Sequence, residues 1–104
     1  MQRHAFKMKL KPGAIAEYKK RHEEIWPELQ KALRAAGISD YSIFFDEETL
    51  TLFATQKLTD GNSASSLRDL PVMKKWWAYM APIMEVHADH SPVSTPLTEV
   101  FHLE

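Results

Sequence analysis

Tyr41-Ser42-Ile43-Phe44-Phe45-Asp46-Glu47-Glu48-Thr49-Leu50-Thr51-Leu52-Phe53-Ala54 is the stretch on which the fold turns. Strands are read over Tyr41–Phe45 and Leu50–Leu58, and the polar connection Asp46-Glu47-Glu48-Thr49 has the length of a hairpin turn. Alternation puts Tyr41, Ile43 and Phe45 on one face, with Leu50, Leu52 and Ala54 as partners, and leaves Phe44 and Phe53 on the other. Both faces therefore need cover. The helices of a small domain cover one face, so the two phenylalanines imply that a second copy of the chain packs on the other. The alternative is a pair of singly exposed aromatics, which need no partner.

Upstream of the hairpin, Ile15, Tyr18, His22, Ile25, Leu29 and Leu33 recur at steps of three and four, which predicts a helix over about Ala14–Ala36 with Gly37 as its left-handed cap. Pro27 lies inside that pattern and predicts a kink or break just after Trp26. Before it, His4, Phe6, Met8 and Leu10 alternate with Ala5, Lys7 and Lys9 as a half-buried strand, ended by Lys11-Pro12-Gly13. Downstream, Asp60–Ser66 reads as a loop leading into a weak helical turn. Pro71 opens a helix carrying Val72, Trp76, Met80 and Ile83 to about Met84, with Pro82 ending or bending it. Val86–Pro96, with Pro92 and Pro96, reads as an irregular loop, and Leu97–Leu103 as a last strand. Strand, helix, strand, strand, helix, strand is an α+β order, that of the ferredoxin-like βαββαβ unit.

The 104 residues suit one domain spanning 1–104, large enough to bury about two-thirds of its extended surface. Hydrophobic residues at 44% and charged residues at 26% exclude the disordered and collagenous classes, and no apolar run is long enough to span a membrane. Thirteen basic against fourteen acidic residues lack the excess that phosphate neutralisation needs, so nucleic acid is not an expected partner. The absence of cysteine removes disulfides, thiolate metal sites and a cysteine nucleophile. Together with an N-terminus lacking the apolar stretch of a signal peptide, it leads to an expected cytoplasmic location.

Tyr18 and His22 are one helical turn apart on the stripe that should face the core, where ionisable groups need a reason. One reason is a pocket between helix and sheet, with the imidazole as general acid or base and the phenol orienting a substrate. The other is a core histidine satisfied by a backbone carbonyl or by Glu23 or Glu24. Trp76 and Trp77 are separated by about 100° of helical rotation, so one of them leaves the core stripe and either lines a site as an apolar platform or is simply buried. His87 and His90, with Asp89 between them, have metal-ligand chemistry but no third ligand at local spacing, so no metal is expected. There is no glycine-rich phosphate loop and no Gly-x-Ser-x-Gly elbow, which removes support for nucleotide cofactors and serine hydrolysis.

Five segments converge: Arg21-His22-Glu23-Glu24-Ile25-Trp26-Pro27-Glu28-Leu29, Tyr41-Ser42-Ile43-Phe44-Phe45-Asp46, Trp76-Trp77-Ala78-Tyr79-Met80, Ser91-Pro92-Val93-Ser94 and Glu99-Val100-Phe101. In this order, and over nearly the whole chain, they resemble the L-rhamnose mutarotases. The resemblance implies a homodimer of the dimeric α+β barrel type and interconversion of the α and β anomers of L-rhamnose without a cofactor. It implies His22 as the acid that protonates the ring oxygen on opening and recovers the proton on closing. Tyr18, Tyr41, Trp76 and Trp77 fall on sugar-contacting positions, with Tyr18 near C1 and the other three as a wall selecting a 6-deoxy sugar. The base is left open between a water and another side chain. Val86-His87-Ala88-Asp89-His90, where the family is often rich in Asn and Pro, and His102, where an aromatic is common, depart from the pattern, and Asp60–Ser66 matches it poorly. The first two bear on sugar selectivity rather than on the chemistry. Two other classes fit the same pocket: a sugar-binding module without catalysis, and a small cofactor-free monooxygenase on a related dimeric fold.

Overall fold

The computed structural model describes residues 1–104. Its sheet contains β1 (Gln2–Lys9), β2 (Ile38–Asp46), β3 (Thr51–Leu58) and β4 (Ser94–Leu97) in the order β2-β3-β1-β4, every neighbouring pair antiparallel. Helices α1 (Ile15–Glu23) and α2 (Pro27–Ala35) connect β1 to β2; a 3₁₀ segment, Ala64–Asp69, and α3 (Pro71–Met80) connect β3 to β4. This is the ferredoxin-like α+β arrangement expected from the order of elements.

Pro27 divides the helical pattern as anticipated. Its ring cannot donate toward Glu23 and drives Trp26 to extended geometry (φ −65°, ψ 133°), so α1 ends at Glu23 and Pro27 becomes the first residue of α2. The break frees Trp26 to reach α3. Gly37 follows α2 at φ +91°, and its amide donates to the Arg34 carbonyl at 3.0 Å. A Cβ at this position would strike the Thr59 hydroxyl. The hairpin turn is tied by the Asp46 carboxylate, which accepts from the Glu48 amide at 3.1 Å and the Thr49 hydroxyl at 2.8 Å.

Register sets the two faces of the sheet. Ile43, Ala54 and Phe6 form one inner row and Phe45, Leu52 and Met8 the next, and the core continues through Leu10, Leu29, Trp76 and Met80. On the outer face Phe44 lies opposite Phe53, with Lys7 beside it; the two rings are 63% and 37% exposed. One irregularity matters for the site. Between Ser39 and Ser42 the β2 ladder shifts, so that Asp40 (φ +48°) and Tyr41 together face a single β3 residue, Gln56.

Several boundaries differ from the reading of the sequence: β2 starts at Ile38 rather than Tyr41, and β3 at Thr51 rather than Leu50, whose φ of +55° puts it in the turn instead of on the inner face. Helix α3 stops at Met80, and Pro82 sits in a separate 3₁₀ turn, Ala81–Ile83. The last strand is Ser94–Leu97, not Leu97–Leu103: it begins inside the expected loop and ends where expected to begin. Pro96 is tolerated because β4 is an edge strand pairing only with β1. Beyond Leu97 the backbone ladder is replaced by side chains, the Arg3 guanidinium holding the Glu99 carboxylate through two bonds of 3.1 and 2.8 Å. The alternating Val100, Phe101 and Leu103 are exposed, with no layer beneath them to reward strand pairing.

Candidate active site

Helix α1 presents Tyr18 and His22 to the interior with their ring centroids 4.3 Å apart. His22 Nδ1 lies 3.0 Å from the Tyr18 backbone carbonyl. A carbonyl only accepts, so Nδ1 carries the hydrogen and the neutral ring keeps its lone pair on Nε2. The Trp76 ring meets the imidazole edge-on at 5.4 Å. Burial pushes the His22 pKa below 6.5, with the carbonyl contact opposing the shift. Of the partners the sequence offered, His22 takes the backbone carbonyl and neither Glu23 nor Glu24, and Nε2 has no hydrogen-bond partner within the protein.

Tyr18 is only 5% exposed, and burial raises its phenol far above the ordinary value near 10, with Tyr41 adding to the rise. Tyr41, carried into the same cleft by the β2 bulge, is 37% exposed and meets Phe6 edge-on at 6.4 Å; crowding around its hydroxyl raises the phenol above its ordinary value, by less than for the deeply buried Tyr18. Both phenols stay protonated at neutral pH and offer O–H donors.

On α3 the tandem tryptophans separate as the helical rotation requires. Trp76 is 7% exposed and packs edge-on against Trp26 at 5.1 Å, the residue freed by the helix break. Trp77 is half-buried and lies between the main cleft and a smaller surface pocket beside Arg68 and His90. Tyr18, His22, Tyr41, Trp76 and Trp77 all line one open cleft of about 1,420 Å³ between the helices and the inner face of the sheet. The cleft is wider than most small-molecule sites, which run to about 1,000 Å³.

Several contributors escaped the reading of the sequence. Trp26 and Tyr79 back the Trp76 ring, and Arg21, held by Glu17 at 2.8 Å, lies over the Tyr79 ring at 4.2 Å. Gln56 is a polar residue at an inward position of β3, in line with Leu52 and Ala54, and the alternation alone could have singled it out. His87 and His90 do not converge. His87 faces the main cleft and His90 the smaller pocket. Asp89 is engaged by the Ser91 amide at 2.9 Å and by the Ser91 hydroxyl, and no group of three acidic or imidazole side chains gathers there.

Fold and site together define a class: small ferredoxin-like proteins whose helix-to-sheet cleft sets an imidazole among aromatic walls. A family model for L-rhamnose mutarotase matches residues 3–103. The L-rhamnose mutarotase of Jannaschia sp. (strain CCS1) is 56% identical over 103 residues, 99% of each chain, and that of Bacteroides thetaiotaomicron is 56% identical over 104 residues, the whole of both. The crystal structure of L-rhamnose mutarotase FA22100 from Formosa agariphila superposes with a TM-score of 0.93 at 52% identity, covering 100% of both chains. The chain belongs to the L-rhamnose mutarotase family, a family of carbohydrate isomerases.

Proposed function

We propose that this protein interconverts the α and β anomers of L-rhamnose by opening and reclosing the pyranose ring, with His22 moving the proton. The observation that carries the reading is the polarised imidazole: Nδ1–H is committed to the Tyr18 carbonyl, so Nε2 is the working atom. The sugar's O1 and O5 are both bonded to C1, so one nitrogen can serve each in turn. Nε2 takes the O1 proton and passes it to O5 as the C1–O5 bond breaks, leaving a C1 aldehyde. After rotation about C1–C2, the O5 hydroxyl adds to the other face of the carbonyl, its proton returns to Nε2, and Nε2 gives it to O1. Protons balance, and no oxidant or cofactor is consumed.

A pKa below 6.5 makes neutral imidazole the resting form at pH 7, so the proton delivered to O5 is the one collected from O1. The base left open by the sequence is then His22 itself. Tyr18 stays protonated and donates to the sugar near C1 as the carbonyl forms. Tyr41, Trp76 and Trp77 form the wall against the 6-deoxy sugar, whose methyl group gains from apolar contact where a hydroxyl would lose its water.

The active form is a homodimer, and the outer Phe44–Phe53 pair supplies an apolar patch for a second copy. We place the activity in the cytoplasm, in keeping with a chain that has no cysteine, and without nucleic-acid binding, in keeping with a net charge of −1. No helix is long and apolar enough to cross a membrane. The test is NMR magnetisation exchange between the two anomers of L-rhamnose, run with wild-type protein, with His22→Ala and without protein. Accelerated exchange that collapses in His22→Ala supports the proposal; no acceleration by folded wild type overturns it.

A further inference from the structure

Gln56 is a buried polar side chain of the cleft that the chemistry above does not use and, unlike the buried Ser91, makes no side-chain hydrogen bond. It is 7% exposed, points inward from β3, pairs in register with His4 on β1, and faces the β2 bulge that carries Tyr41. Its amide can donate two hydrogen bonds and accept two, yet none of the side-chain bonds in the structure involves it. The protein has no side-chain nitrogen or oxygen that is both sealed off and unbonded, so the Gln56 amide opens onto the cleft. An inner-face residue flanked in its strand by Ala54 and Leu58 would ordinarily be apolar. Burying an amide there without a protein partner costs stability that Leu or Met would not. Natural chains tolerate such a cost where function uses the group.

We propose that Gln56 is a sugar-binding residue, its amide hydrogen-bonding a secondary hydroxyl of the pyranose on the side of the ring held by Tyr41. The inference rests on this cleft being the sugar site. Ring hydroxyls both donate and accept, as does a carboxamide, and a neutral amide holds them without perturbing the proton balance at His22. Gln56 thereby contributes to sugar selection: a sugar whose hydroxyl is absent or inverted at the contacted carbon leaves the amide unpaired, which penalises it.

The test is Gln56→Met, close in shape and without the amide, compared with wild type by anomer exchange on L-rhamnose and on its 2-, 3- and 4-deoxy analogues. The expected result is a KM for L-rhamnose raised by about fivefold to tenfold, the yield of one neutral hydrogen bond, with the saturated rate within about threefold of wild type. For one deoxy analogue the substitution should make no difference, because the contacted hydroxyl is already missing. Thermal stability should be equal to or higher than that of wild type. An unchanged KM for L-rhamnose, or a KM raised equally for all four sugars, overturns the proposal, the latter showing Gln56 to act through packing. His22→Ala in the same series separates the two claims: full exchange by that variant removes the proton-transfer assignment, whereas an inactive His22→Ala beside an unaffected Gln56→Met removes only the assignment of Gln56.

Discussion

If neutral His22 is the working form, the acid limb of the pH–rate profile must lie lower than an ordinary histidine would place it. At a pKa of about 6.5, roughly a quarter of the rings would be protonated at pH 7. Burial among Tyr18 and Trp76 lowers the value, so that fraction shrinks and activity at pH 7 sits near its plateau. A positioned acid or base contributes about 10² to 10⁴ in rate, equivalent to about 2.7–5.4 kcal/mol of barrier, and His22→Ala should lose that much while remaining folded. The assay is anomer exchange followed from pH 5 to 8.5, with the buffer-catalysed rate subtracted at each point. kcat/KM should be flat above pH 7 and fall only below 6.5. A profile that declines as pH rises from 6 to 8 would show that the imidazolium starts the reaction, and would refute the argument that Nε2 begins empty. The same shift has a stability consequence. The folded-state pKa lies below the unfolded one, so the stability tied to a neutral His22 is present above about pH 6.5 and is lost as pH falls through the folded value.

The two tryptophans should separate binding from folding. Trp76→Ala empties a buried site and should cost about 3–5 kcal/mol, whereas Trp77→Ala should cost clearly less stability and weaken sugar binding more than folding. Equal losses of thermal stability at both positions would count against Trp77 as a site wall. Gly37→Ala is expected to cost at least about 1 kcal/mol, lowering Tm by about 4–8 °C for each kcal/mol, because it combines a φ of +91° with a Cβ against the Thr59 hydroxyl. Replacing Phe44 and Phe53 together by Lys should convert a dimer to a monomer in sedimentation equilibrium; an unchanged dimer would move the interface elsewhere.

Periodicity determined most of this protein. Alternation in β1, β2 and β3 and three-to-four spacing in the helices state directly which side of each element is apolar, and Pro27 and Pro71 mark helix starts through their own covalent geometry. Tyr18 and His22 could be paired from sequence because a single helical turn brings them together. Other features depended on contacts between residues distant in the chain, which no local pattern encodes. The last strand formed at Ser94–Leu97 because an edge of β1 was free there, while the better alternation after Leu97 found no layer to pack on. Tyr41 reached the cleft through a bulge in the pairing of β2 with β3. Trp26 joined the wall behind His22 only because the helix break turned it toward α3. Which nitrogen of His22 is free was decided within α1, where Nδ1 meets the Tyr18 carbonyl one turn back, whereas the burial of the ring against Trp76 was a tertiary matter, set by where α3 came to lie.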